Sequence, residues 1–154
     1  MIQNTLVPTQ TPSTSTSMAL FGMGGVGKTQ LALYYAHHSS NRFGIILWIA
    51  ADNAITIGQN SREASPWLIV SDNAEDLQAL KVAWPGGSHG SILLITRDFD
   101  VARNPAAECL RVDPFDSAEG SVILLRQIGL DLAVTANSQH AIAITESLGG
   151  LPLL

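Results

Sequence analysis

The chain has 154 residues, about one domain's worth, and 46% of them are apolar against 14% charged. Such a composition predicts near-continuous apolar strands covered on both faces. The net charge of −5, with 8 Lys and Arg spread thinly, excludes the basic patch that a nucleic-acid partner requires. A single cysteine, Cys109, excludes an internal disulfide and fits a reducing compartment. No apolar run reaches membrane-spanning length and no signal-peptide start is present, so a cytoplasmic chain without membrane contact is expected.

Residues 1–17 are dominated by Thr, Ser, Gln and Pro. This is linker composition, with too little apolar surface to order itself, and a disordered linker is expected there. Structure is predicted to begin with a short strand at Met18–Phe21, followed after a glycine-rich turn by a helix over Thr29–Ala36, rich in Leu and Ala. A second strand fits Gly44–Ala50 and a third Trp67–Ser71, closed by Asp72-Asn73. A helix over Glu75–Leu80 leads to a turn at Pro85-Gly86-Gly87-Ser88 and a fourth strand at Ser91–Thr96. Glu108–Val112 is a weaker fifth strand, and helices near Ser117–Ile128 and Ser138–Leu148 close the chain.

Strands alternating with helices predict βαβ units, a parallel sheet and right-handed crossovers. The connection Ala51–Pro66 is short for such a crossover, and its Asn53, Gly58, Asn60 and Ser61 are poor helix formers. Cys109 is expected as a small buried hydrophobe at a strand edge. Trp48, Trp67 and Trp84 are expected in the core or at an interface. His37, His38, His89 and His140 show no metal-ligand spacing.

The pattern G-x-x-x-x-G-K-[ST] is met in full by Gly22, Gly27, Lys28 and Thr29, with an apolar strand running in and a helix running out. Glycines let successive backbone N–H groups wrap a phosphate with no Cβ in the way, and the helix aims its positive end at the same anion. Gly22, Gly24, Gly25, Val26, Gly27, Lys28 and Thr29 are therefore the expected phosphate cradle of a P-loop. Lys28 would reach the β- and γ-phosphates, and Thr29 would offer its hydroxyl to Mg²⁺. A second metal ligand is expected at Asp72, an acid that ends an apolar strand; a turn-starting Asp is the plainer alternative. Asn73, which follows, cannot take a proton at neutral pH, and Glu75 and Asp76 read as first-turn helix acids. Binding of ATP or ADP is thus better supported than fast turnover.

Several blocks together resemble the NB-ARC domain of STAND-class P-loop NTPases, the nucleotide switch of fungal and plant NLR-type receptors and of apoptotic scaffolds. Gly22–Thr29 with Gln30-Leu31-Ala32 is similar to the family's phosphate loop. Trp67–Asp76 is similar to its Walker B block, Gly90–Asp98 to its strand ending in Thr-Arg-Asp, and Gly150–Leu154 to its GLPL block. The resemblance implies a three-layer αβα P-loop NTPase with a five-stranded parallel sheet over 18–113, then the start of a small helical ARC-type subdomain over 114–154. It implies a regulatory ATPase in innate immunity or programmed cell death, with contacts to other receptor domains or to like chains. Asp72 and Arg97 are the catalytic side chains it implies, Arg97 facing the γ-phosphate, and Pro152 lies against the base. A guanidinium just past a strand also points into the ligand crevice of an open sheet on general grounds. Two other functions compete: a non-enzymatic remnant that only associates with full-length relatives, and a P-loop small-molecule kinase.

Overall fold

The computed structural model describes residues 2, 6, 15–50, 65–85, 89–131 and 133–152. Much of the expected linker, most of the Ala51–Pro66 connection, the Gly86-Gly87-Ser88 part of the turn and Leu153-Leu154 lie outside the described residues. The chain divides into two compact units. One holds the described residues up to Gly22 together with Lys28–Arg111, and the other holds Met23–Gly27 with the described residues from Val112 onward.

The first unit is an α/β fold around a five-stranded, all-parallel sheet. Its strands are β1 (Thr16–Phe21), β2 (Ile45–Ala50), β3 (Trp67–Asp72), β4 (Gly90–Thr96) and β5 (Glu108–Arg111), in the spatial order β2-β3-β4-β1-β5. Helix α1 (Lys28–His38) follows β1, α2 (Leu77–Ala83) follows β3, and the short α3 (Phe99–Ala102) follows β4. The strands fall close to their predicted places, while the four-residue α3 was not among the predicted elements.

Burial explains why the inner strands read as unbroken apolar runs. β4 is buried at every position, and β3 at every position except its last, Asp72. With sheet neighbours on both sides and packing above and below, each side chain is covered whichever way it points. Ala19 and Leu94 pack with Leu80 of α2 and with Val101 and Ala102 of α3 in one cluster. Trp67, Ile69 and Ile92 form another, with Leu47, Ile49 and Trp84 against it. Of the tryptophans, Trp67 is buried and Trp84 partly so, whereas Trp48 lies on the outer strand β2 and is 38% exposed.

Several expectations need correction. β1 begins at Thr16, two residues inside the expected linker, and Leu6 is fully buried, its carbonyl accepting a 2.7 Å hydrogen bond from the Tyr35 hydroxyl. One apolar side chain with a buried partner is enough to fix a point that composition averages away. Cys109 is exposed rather than buried, because β5 is an edge strand and most of its side chains meet solvent.

The second unit contains helices α4 (Ser117–Ile128) and α5 (Thr135–Ser147), packed on one another. Asp116 caps α4 by accepting from the Glu119 N–H at 2.7 Å. At the end of α5 the Gly150 N–H donates to the Thr145 carbonyl, and the Gly150 carbonyl accepts from the Phe115 N–H at 3.0 Å. The Gly-Leu-Pro segment is thereby stitched to the chain that enters α4.

Candidate functional site

All five strands run the same way, so the loops after β1, β3 and β4 leave from one edge of the sheet. Ligands of open α/β sheets bind outside this carboxyl edge. Four candidate side chains of the first unit come from that edge: Lys28 and Thr29 open α1, Asp72 ends β3, and Arg97 follows β4 directly.

The Thr29 hydroxyl lies 3.4 Å from each carboxylate oxygen of Asp72. That is a loose contact, close to the limit for a hydrogen bond, and it leaves both groups oxygen-rich and facing one another. Lys28 is buried to 7% exposure, and its Nζ donates a 2.8 Å hydrogen bond to the Gly22 carbonyl. Burial lowers its pKa from the ordinary 10.5, the nearby Arg97 guanidinium lowers it further, and Asp72 acts the other way. The site thus gathers a buried ammonium, a second cation and one carboxylate.

Backbone geometry after β3 is set with equal care. Asn73 takes a left-handed φ of +57°, a region Asn tolerates better than most residues. Its N–H donates to Asp72 Oδ1 at 2.9 Å, and the next N–H, on the fully buried Ala74, donates to the Ile95 carbonyl at 2.8 Å. The carboxylate is thus held at its base, and the chain beyond it is pinned to the end of β4.

The acids that follow take different roles from those expected. α2 starts at Leu77, so Asp76 is its N-cap, accepting from Gln78 N–H at 2.8 Å and Ala79 N–H at 3.2 Å. Glu75 lies outside the helix, its carboxylate 3.6 Å from Arg97 Nε. Sequence reading missed this pair because it joins two loops. The signal that could have found it is an acid three residues past β3 facing a base one residue past the adjacent β4.

The glycine loop residues Met23–Gly27 belong to the second unit. Gly25 and Gly27 have φ of +78° and +95°, open to glycine and strained for other residues. Val26 is buried, while Gly24 and Gly25 are exposed. A Cβ on Gly27 would sit 3.5 Å from Pro152, and one on Gly25 would sit 3.8 Å from Leu151. Pro152 therefore packs on the loop backbone, a steric role that the expectation of base contact had not foreseen.

No family model and no curated protein matches this chain. Among solved structures, a chain of the E. coli MS115-1 HORMA:CdnC:Trip13 complex is similar, with a TM-score of 0.51 and 16% identity. The likeness covers 81% of this chain and 57% of that one, so the chain spans little more than half the length of this neighbour. At such identity the likeness is one of fold alone. It overturns the resemblance drawn from the motif blocks: the match is to a component of that complex and not to an NB-ARC receptor, and the STAND, NLR, immunity and cell-death readings fall with it. The physical reason is that short blocks report strand ends and turn chemistry, which unrelated chains share. What the comparisons and the coordinates establish together is an α/β chain with a five-stranded all-parallel sheet.

Proposed function

We propose that the first unit binds the phosphates of a nucleotide, ATP or ADP, with Mg²⁺, and acts as a nucleotide-responsive switch with at most slow hydrolysis. The carrying observation is the meeting of the Thr29 hydroxyl and the Asp72 carboxylate at 3.4 Å, beside the buried Lys28. Both are hard oxygen donors, the type Mg²⁺ takes, and Mg²⁺ keeps most of its waters and shares phosphate oxygens. Among the described residues no three His, Cys, Asp or Glu side chains gather to hold a metal by themselves, which accords with an ion shared between protein and phosphate. Such an ion, when bound, neutralises phosphate charge.

Lys28 supplies the counter-charge and Arg97 a second cation at the outer side. Burial of Lys28 strengthens its attraction for an anion, because little water competes. Among the described residues that follow Asp72, none is placed as a base for hydrolysis. Asn73 carries an amide, and the nearest following carboxylate, Glu75, faces Arg97. Isothermal titration of the full chain with ADP and ATP in Mg²⁺ tests the reading, with Lys28→Met as control. Absence of binding by the unaltered chain at millimolar ligand would sink it.

A second reading, a chain whose role is contact with other proteins or with its own copies, draws on the apolar side chains exposed along the helices of the second unit. Ile123, Ile128 and Ile144 are each more than 40% exposed, and a cavity of about 180 Å³ opens between α4 and α5. The structural neighbour was itself solved in a complex of several proteins. Light scattering of the purified chain across a concentration series tests self-association. No helix among the described residues is long and apolar enough to cross a membrane.

A further inference from the structure

The Glu75–Arg97 pair has a feature that a chance surface contact lacks: both ends are anchored. Ala74, directly before Glu75, is fully buried and bonded to the Ile95 carbonyl. Asp76, directly after it, caps α2 through two backbone N–H groups. On the other side, Thr96 is buried, its hydroxyl accepts from the Asp98 N–H at 3.0 Å, and Asp98 caps α3. Glu75 and Arg97 therefore stand on fixed backbone, with only their side chains free to move.

Those side chains are 54% and 64% exposed, so exchange of partner costs little desolvation. Arg97 also leaves the same carboxyl edge of the sheet as Asp72 and Lys28, directly after β4, which lies between β3 and β1. Arg97 thus has two anionic partners within its range: the Glu75 carboxylate it now faces, and any phosphate seated beyond Lys28.

We propose that Glu75 sets the choice between diphosphate and triphosphate by holding the Arg97 guanidinium off the position of a terminal phosphate. The proposal rests on the nucleotide reading above. A diphosphate fills the inner site at Lys28 and leaves the Glu75–Arg97 pair intact. A triphosphate places a further charge beside Arg97 and must compete with Glu75 for it. Glu75 acts through Arg97 and is a positioning residue. It biases the site toward the diphosphate form, as a switch at rest requires.

The experiment compares MgADP and MgATP binding by calorimetry in the full chain, in Glu75→Gln, and in Glu75→Gln combined with Arg97→Ala. Glu75→Gln is expected to tighten MgATP by roughly two- to five-fold, the range an exposed ion pair supports, with MgADP unchanged. The added Arg97→Ala is expected to erase that gain. Because both side chains face solvent, thermal melts of the variants should overlay that of the unaltered chain. An unaltered chain that binds both nucleotides, with a Glu75→Gln ratio of ATP to ADP affinity equal to its own, overturns the proposal and leaves the nucleotide reading standing. An unaltered chain that binds neither overturns both.

Discussion

The Lys28 Nζ donates a 2.8 Å hydrogen bond to the carbonyl oxygen of Gly22, so the cation that opens α1 closes back over the residue that opens the glycine loop. The bond occupies one of the three donors of an ammonium on a residue that is only 7% exposed. On the nucleotide reading proposed above, a phosphate would compete with that carbonyl for the same donor.

The alkaline stability of the fold should carry the mark of Lys28. Its pKa in the folded chain lies below 10.5, so between those two values the unfolded chain binds more protons than the folded one. Stability then rises with pH through that window, and the cost of the buried charge is fully present below it. Tyr35, whose pKa is raised from 10.0 chiefly by burial, acts with the opposite sign above that value, so the lysine must be isolated by difference. The melting temperature of the unaltered chain minus that of Lys28→Met should climb as pH rises toward 10.5; a flat difference contradicts the burial argument.

Removing either oxygen donor should weaken metal-linked binding selectively. Thr29→Val and Asp72→Asn are each expected to lower affinity for MgADP by about ten-fold, on the order of 1.4 kcal/mol. Affinity for ADP measured in excess chelator should barely change. Loss of both affinities together would place these residues in folding rather than in metal binding.

Asp76→Ala should cost about 1 kcal/mol, the usual worth of an N-cap side chain, because two backbone N–H groups of α2 lose their acceptor. Chemical denaturation measures it. Asp76→Ser, which can still cap, should recover most of the loss.

Gly90→Ala should be the most damaging single methyl in the sheet. A Cβ at that position runs into the six-membered ring of Trp67 on the neighbouring strand, and Trp67 is itself buried and boxed in by Ile69 and Ile92. With no room for the ring to swing, a cost of about 1–3 kcal/mol is expected from overpacking. The same variant combined with Trp67→Leu should regain part of it, and the double-mutant cycle reads the coupling directly.

Much of this was legible in the residues because it is local. The apolar runs at Trp67–Ser71 and Ser91–Thr96 announce strands, and the run near Ser117–Ile128 announces a helix. Other features were hidden for equally physical reasons. Ile45-Ile46-Leu47-Trp48-Ile49 reads as apolar as β3, yet no position of β2 is fully buried, and Ile45, Trp48 and Ala50 are exposed, because it is an outer strand of the sheet. Cys109 is exposed for the same cause on the opposite side. A shift of only two residues in the start of α2 turned Asp76 into a cap and freed Glu75 to meet Arg97.

The sequence by itself determined the apolar strands and the glycine-rich turn before α1, since apolar runs and glycine freedom are properties of neighbouring residues. The tertiary structure decided the rest. The order β2-β3-β4-β1-β5 sets β3 beside β4, so that Glu75 meets Arg97 between two loops, and sets β1 just beyond β4, so that Thr29 of the helix after β1 reaches Asp72 at the end of β3 across 43 residues. Pairings of that range depend on how strands associate, and no local pattern of residues encodes which strand will lie beside which.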